Sequence, residues 1–156
     1  MNLYKQTIEY QTLEFLEGCI NLSKTHFTNP DRTSLNALDN MVTMSLGRRT
    51  GHTTAIREYI LENNAKQHNK ENIILVTPTY SVGKMLYGDF KIKFHVPRSN
   101  TMLGGSRVQT SLIGIRNVGI IFDTCSNRDI LNFMEAVAPF HNNITYVVNI
   151  APTHII

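Results

Sequence analysis

Residues 41–56 read MVTMSLGRRTGHTTAI, and the class of the fold turns on this stretch. An apolar run, 41–46, enters the loop GRRTGHTT, and a helical pattern leaves it. Strand, glycine loop, helix is the layout of a loop that binds phosphate. A glycine lets the backbone bend so that successive N–H groups face phosphate oxygens, and the helix adds its positive N-terminal end. Gly51 stands at the turn and Thr53 where a hydroxyl holds Mg²⁺. The full pattern G-x-x-x-x-G-K-[ST] would put its first glycine at Leu46, with Gly47 one residue later, and its lysine at His52. An ordinary strand–turn–helix connection is the plainer alternative for the loop taken alone.

His52 is the departure that bears on chemistry. A loop lysine is a long, charged donor that reaches the outer phosphates. Histidine is shorter and, with an unperturbed pKa of about 6.5, mostly neutral at pH 7. Arg48, Arg49 or Lys84 are the alternative sources of charge. The expectation is weakened triphosphate binding with slow or absent hydrolysis.

The chain has 156 residues, 42% of them hydrophobic, enough for one domain over 1–156 with the helical segment 1–40 packed on it. A net charge of +3 permits contact with nucleic acid without demanding it. No apolar stretch reaches the length of a membrane span, and residues 1–10 have no signal-peptide core, so a cytoplasmic protein is expected. Cys19 and Cys125 lie far apart and read as free thiols. The six histidines form no ligand pattern.

Helical spacing runs over 3–27 and ends at Asn29-Pro30. A helical turn over 34–40 leads into the strand 41–46, and a helix follows over 53–67. Residues 72–76 form a β-branched run stopped near Pro78, which reads as a buried strand. A short helix over 80–90, a brief strand over 91–96, a loop over 98–105 and a strand over 108–115 come next. The apolar run 118–122 ends at Asp123; a helix over 128–137 and a strand over 144–150 complete the pattern. Strands alternating with helices give an α/β class with a mostly parallel sheet flanked by helices.

In such a sheet ligands gather at the carboxyl ends of strands. Three ends carry polar groups: the loop 47–53, Asp123-Thr124, and Asn149 to Thr153. An apolar run ending in aspartate, VGIIFD, suits a Mg²⁺-holding carboxylate beside the phosphate loop. The order of these motifs resembles the RecA-type ATPase core of helicases and, more closely, the ATPase domain of phage terminase large subunits. The family loop S-R-Q-x-G-K-T-T stands here as Gly47-Arg48-Arg49-Thr50-Gly51-His52-Thr53-Thr54. A proline-containing turn after the next strand is matched by Val76-Thr77-Pro78-Thr79. A segment like L-R-G-x-R is echoed by 112–116, ending in Arg116. A T-x-P-like coupling motif is echoed by Asn149-Ile150-Ala151-Pro152-Thr153. The resemblance spans 41–156 with loose motifs. It implies a P-loop NTPase-like fold that takes Mg²⁺ and ATP weakly, phosphate contacts from residues 47–54, metal contacts from Thr53 and Asp123, and coupling roles for Arg116, Asn149 and Thr153.

Two departures fall on catalysis. The family lysine is His52, and the second acidic residue, the implied water-activating base, is Thr124. With no nuclease domain and no second motor lobe read in these 156 residues, a complete terminase or helicase is not expected. Three readings follow. The first is a degenerate, phage-encoded relative in the host cytoplasm that acts by binding DNA or a motor or assembly partner, with Arg48, Arg49, Arg98, Arg107 and Arg116 as candidate phosphate contacts. The second is a working ATPase with relocated groups, Lys84 for charge and Asp129 or Glu135 as base, needing an arginine from a neighbour in a homo-oligomer. The third is a virion or assembly scaffold that uses the fold without nucleotide.

Overall fold

The computed structural model describes residues 3–29, 37–45, 51–97 and 114–151. The loop over 98–105, most of the expected strand over 108–115 and residues 46–50 lie outside that set. The described elements are α1 (Leu3–Thr28), a 3₁₀ turn (Ala37–Asn40), β1 (Val42–Ser45), α2 (His52–Ala65), β2 (Asn72–Val76), α3 (Tyr80–Tyr87) with a 3₁₀ turn (Gly88–Phe90), β3 (Val118–Asp123), α4 (Asn127–Val137) with a 3₁₀ turn (Ala138–Asn143), and β4 (Ile144–Ala151). The four strands form one parallel sheet in the order β1-β4-β3-β2. The expected α/β architecture with helices on the sheet is therefore what the chain forms. Among the described residues no helix is long and apolar enough to cross a membrane.

The sequence explains the layers. All six residues of β3 are buried, the mark of a parallel strand covered on both faces. Its alternate residues sort to opposite sides. Val118, Ile120 and Phe122 join Ile74, Val76 and Val147 under Ile130, Phe133, Met134 and Val137 of α4. Ile121 joins Met44, Leu75, Val148 and Ile150 under Leu16 and Ile20 of α1 and Ala55, Ile56 and Ile60 of α2. The crossovers β1–α2–β2 and β3–α4–β4 run in opposite directions over opposite faces, which gives both the same hand.

Helix α1 also completes the sheet's hydrogen bonding. β1 pairs with β4 only from Val148 onward, so the Val147 N–H has no strand opposite it. That N–H donates to Ser23 Oγ at 2.9 Å, and the Ser23 hydroxyl donates to the Asn40 carbonyl at 2.8 Å. At the amino end of the strands Glu71 is fastened on every side. Its carboxylate takes Lys24 Nζ at 2.6 Å and Tyr59 OH at 2.9 Å. Its backbone exchanges two 2.8 Å bonds with the Asn63 amide. Lys24 lies 5.4 Å from the centre of the buried Tyr146 ring, which rests on Gly119.

The expected strand over 91–96 is reduced to a single bridge. His95 pairs beside Val76 through bonds to Leu75 O (2.8 Å) and from Thr77 N (2.9 Å). Lys91, at φ 55°, turns the chain before any longer ladder forms. Gly114 and Ile115, the described end of the expected strand over 108–115, are not strand either, and Gly114 is at φ 73°.

Two glycines give opposite expectations. A Cβ on Gly119 would overlap the Tyr146 ring, whereas one on Gly18, inside α1, would meet nothing within 4 Å. Gly119→Ala is expected to destabilise by about 1–3 kcal/mol, the usual overpacking cost. Gly18→Ala is expected to stabilise by about 0.5–1 kcal/mol through helix propensity. Urea unfolding of the two variants checks both signs.

Candidate functional site

The carboxyl ends of β1, β4 and β3 lie side by side, with β4 in the middle. The connection leaving β1 goes to one face and that leaving β3 to the other, so the two part above the end of β4. A parting of this kind is where parallel α/β sheets bind ligands.

At the β1 side the chain enters α2 through Gly51, at φ 77° and ψ 25°. This left-handed conformation costs an L side chain roughly 1–2 kcal/mol and glycine nothing. The Gly51 carbonyl accepts from Ala55 N at 2.9 Å and so starts the helix. Among the described residues no side chain caps α2, while α3 and α4 are capped by Thr79 and Ser126, each accepting at 3.2 Å. An uncapped N-terminus behind a left-handed glycine suits an anion.

At the β3 side Asp123 is 1% exposed. Strand alternation turns it toward α2, opposite to Phe122. Tyr87, at the end of α3 and wholly buried, donates its hydroxyl to Asp123 Oδ2 at 2.5 Å. His52 Nε2 stands 3.4 Å from Oδ1, which has no hydrogen bond of its own. The Thr53 hydroxyl faces the Tyr87 hydroxyl from α2. The first turn of α2, the last turn of α3 and the end of β3 thus meet on one carboxylate. Thr124, next in the chain, is held at φ 57°, a strained position for a β-branched residue. Its N–H donates to Ile150 O at 2.9 Å, and its hydroxyl donates to the Asp123 carbonyl at 2.7 Å. That hydroxyl is occupied by the chain and accepts no proton at neutral pH.

Among the expected site residues, Gly51, His52, Thr53 and Asp123 come together, with half-buried Thr54 one residue further along α2. Gly47, Arg48, Arg49, Thr50, Arg98, Arg107 and Thr153 lie outside the described residues. Arg116 is exposed before the amino end of β3, roughly 20 Å from Asp123 at about 3.3 Å per strand residue. Asn149 is buried and paired across from Phe122, so alternation turns it toward α4, away from Asp123. Its Oδ1 has no hydrogen-bond partner. Asp129 and Glu135 ride α4, on the face opposite the Asp123 side chain, and Lys84 is exposed on α3.

Two residues of the site escape a sequence reading. Tyr87 looks like one more apolar residue of a short helix, and only the folding-back of α3 brings it to Asp123. Arg57 had a signal: it follows Thr53 by four residues and shares its helix face. Its guanidinium stacks 4.5 Å from the centre of the Phe90 ring, and its charge acts on Tyr87. No family model, no curated protein and no solved structure matches this chain.

Burial raises the Tyr87 phenol far above the usual tyrosine range, and the Asp123 charge adds to it. Tyr146 is raised well above its ordinary value, first by burial and then by Tyr59. Burial, followed by the Asp123 and Asp129 charges, pushes the Cys125 thiol up to about 12. Each group holds its proton more tightly folded than unfolded. Its stabilising contribution is therefore complete below the unfolded pKa and is lost as pH rises above it. Stability is expected to fall from about pH 9, where unfolded cysteine ionises, and more steeply above about pH 10, where unfolded tyrosine does. Each group adds about 1.4 kcal/mol per pH unit once its unfolded form is ionised. Urea midpoints between pH 7 and 11 test this: Tyr87→Phe should flatten the slope above pH 10, and an unchanged slope would rule out a raised Tyr87.

Proposed function

We propose that this chain is a degenerate P-loop-type protein that holds a nucleoside triphosphate weakly through residues 47–54, turns it over slowly or not at all, and acts by binding. The observation that carries this reading is the Asp123 carboxylate at the end of β3, with His52 of a glycine-led helix beside it and Thr53 of the same turn beside its partner Tyr87. Binding is favoured by the left-handed Gly51 and the helix end behind it. Turnover is disfavoured because histidine stands in place of the long lysine and Thr124 is no base. RecA-type and terminase-like ancestry is part of the proposal and rests on the motif order.

Titration of ATP into the purified protein, beside phosphate release, tests it. Saturable binding is expected, with release at background. Gly51→Ala should weaken binding about five- to thirtyfold, in line with roughly 1–2 kcal/mol of backbone strain. No heat at millimolar ATP would sink the nucleotide reading. Turnover at enzyme-like rates, on the order of 1 s⁻¹ or faster, would instead restore a working ATPase.

A nucleic-acid partner is supported by a separate observation. The stretch 80–97 exposes Lys84, Lys91 and Lys93 against one acidic residue, Asp89, beside Tyr80 at 64% and Phe90 at 44% exposure. Lysines interleaved with exposed aromatic rings suit a phosphate backbone and stacked bases. Replacing the three lysines by alanine is expected to lower affinity for a single-stranded oligonucleotide and reduce the salt slope by about 2, at about 0.7 for each phosphate no longer neutralised. An unchanged slope would direct attention to a motor or assembly protein as partner.

A further inference from the structure

A divalent cation in this site would have to bridge the Thr53 hydroxyl and the Asp123 carboxylate, and the side chains do not fit one. Magnesium demands near-octahedral oxygen ligands and keeps several waters. Here a phenol already holds the carboxylate. Tyr87 OH donates to Asp123 Oδ2, and Thr53 faces that same hydroxyl. The other carboxylate oxygen has the His52 imidazole 3.4 Å away, and Asp123 as a whole is 1% exposed.

The phenol is also hard to displace. Its ring is fully buried in the core that includes Ile56, Leu75 and Ile121. Helix α3, which carries it, sits against Phe94 so closely that a Cβ on Gly83 would overlap that ring and lie 2.7 Å from Thr77 Oγ1. Thr79 fixes the start of the same helix through Val82 N.

We propose that the Tyr87 hydroxyl takes the place of the divalent cation between Thr53 and Asp123, so that this chain binds nucleotide phosphates without a metal ion. The inference rests on the nucleotide reading above and adds Tyr87 as the residue that sets metal independence. A neutral hydroxyl settles the Asp123 charge but brings none of a cation's positive charge to the phosphates. Their charge falls to the helix end and Arg57.

The test has two arms. In the first, ATP is titrated into the wild-type protein in Mg²⁺ and in EDTA. Affinities within twofold of each other are expected, and a tenfold or greater loss in EDTA would overturn the proposal. In the second, Mn²⁺ alone is titrated and followed by electron paramagnetic resonance. Tyr87→Phe, with its fold checked by circular dichroism, should bind Mn²⁺ at least tenfold more tightly than wild type, and Tyr87→Phe with Asp123→Asn should lose that gain. Equal Mn²⁺ binding by wild type and Tyr87→Phe would overturn it. Absence of ATP binding in both buffers defeats the nucleotide reading, while the Mn²⁺ arm still decides whether Tyr87 occupies the cation's place. Should Tyr87→Phe fail to fold, the wild-type comparison in EDTA decides alone.

Discussion

Asp123 puts a carboxylate where almost none of it meets water, and the carboxyl end of the sheet is arranged around that fact. An unpaired buried charge costs several kcal/mol, so partners must be brought to it. They come from two separate elements: Tyr87 from the last turn of α3, and His52 from the first turn of α2, with Thr53 of the same turn behind the phenol. Each depends on another local feature. Tyr87 reaches the carboxylate because α3 presses against Phe94 at a glycine, and His52 because α2 begins at a left-handed one.

The two ends of the sheet treat their carboxylates differently. Glu71, at the amino end, receives an ammonium and a phenol, and its backbone is clamped by Asn63. Asp123 receives one hydrogen bond on Oδ2, while Oδ1 has an imidazole at 3.4 Å and no bond. The satisfied end fixes α1, α2 and β2 to one another. The under-satisfied end carries the strained Thr124 and the uncapped helix. Backbone strain at a β-branched residue is a mark of functional sites.

Much of this was legible in the chain. Buried parallel strands are written as continuous apolar runs, so 72–76 and 118–122 could be read directly. The glycine and threonine of the loop pointed to the start of α2, and the run ending in Asp123 to its partner. What failed to show was orientation. Asn149 and Asp123 both stand near strand ends, but a period of two sends their side chains to opposite faces. Residues 91–96 alternate like a strand, but the left-handed Lys91 leaves one bridge. Tyr87 carries no spacing signal because its role depends on a partner 36 residues away.

The hydrogen bond from Val147 to Ser23 spans 124 residues, and β1 has β4 as its partner in the sheet. The strand order therefore ties the earliest described elements to the last one. β2 and β3 have each other, and α1 can dock on α2, but β1 has no partner among the described strands until β4 is laid between β1 and β3. During synthesis β1 waits for its partner in the sheet until β4 follows. Such long-range closure is slow to fold and leaves the early segments open to aggregation. Ser23 and Val147, like β1 and β4, meet only once both are made, so an incomplete chain carries these residues without their contact.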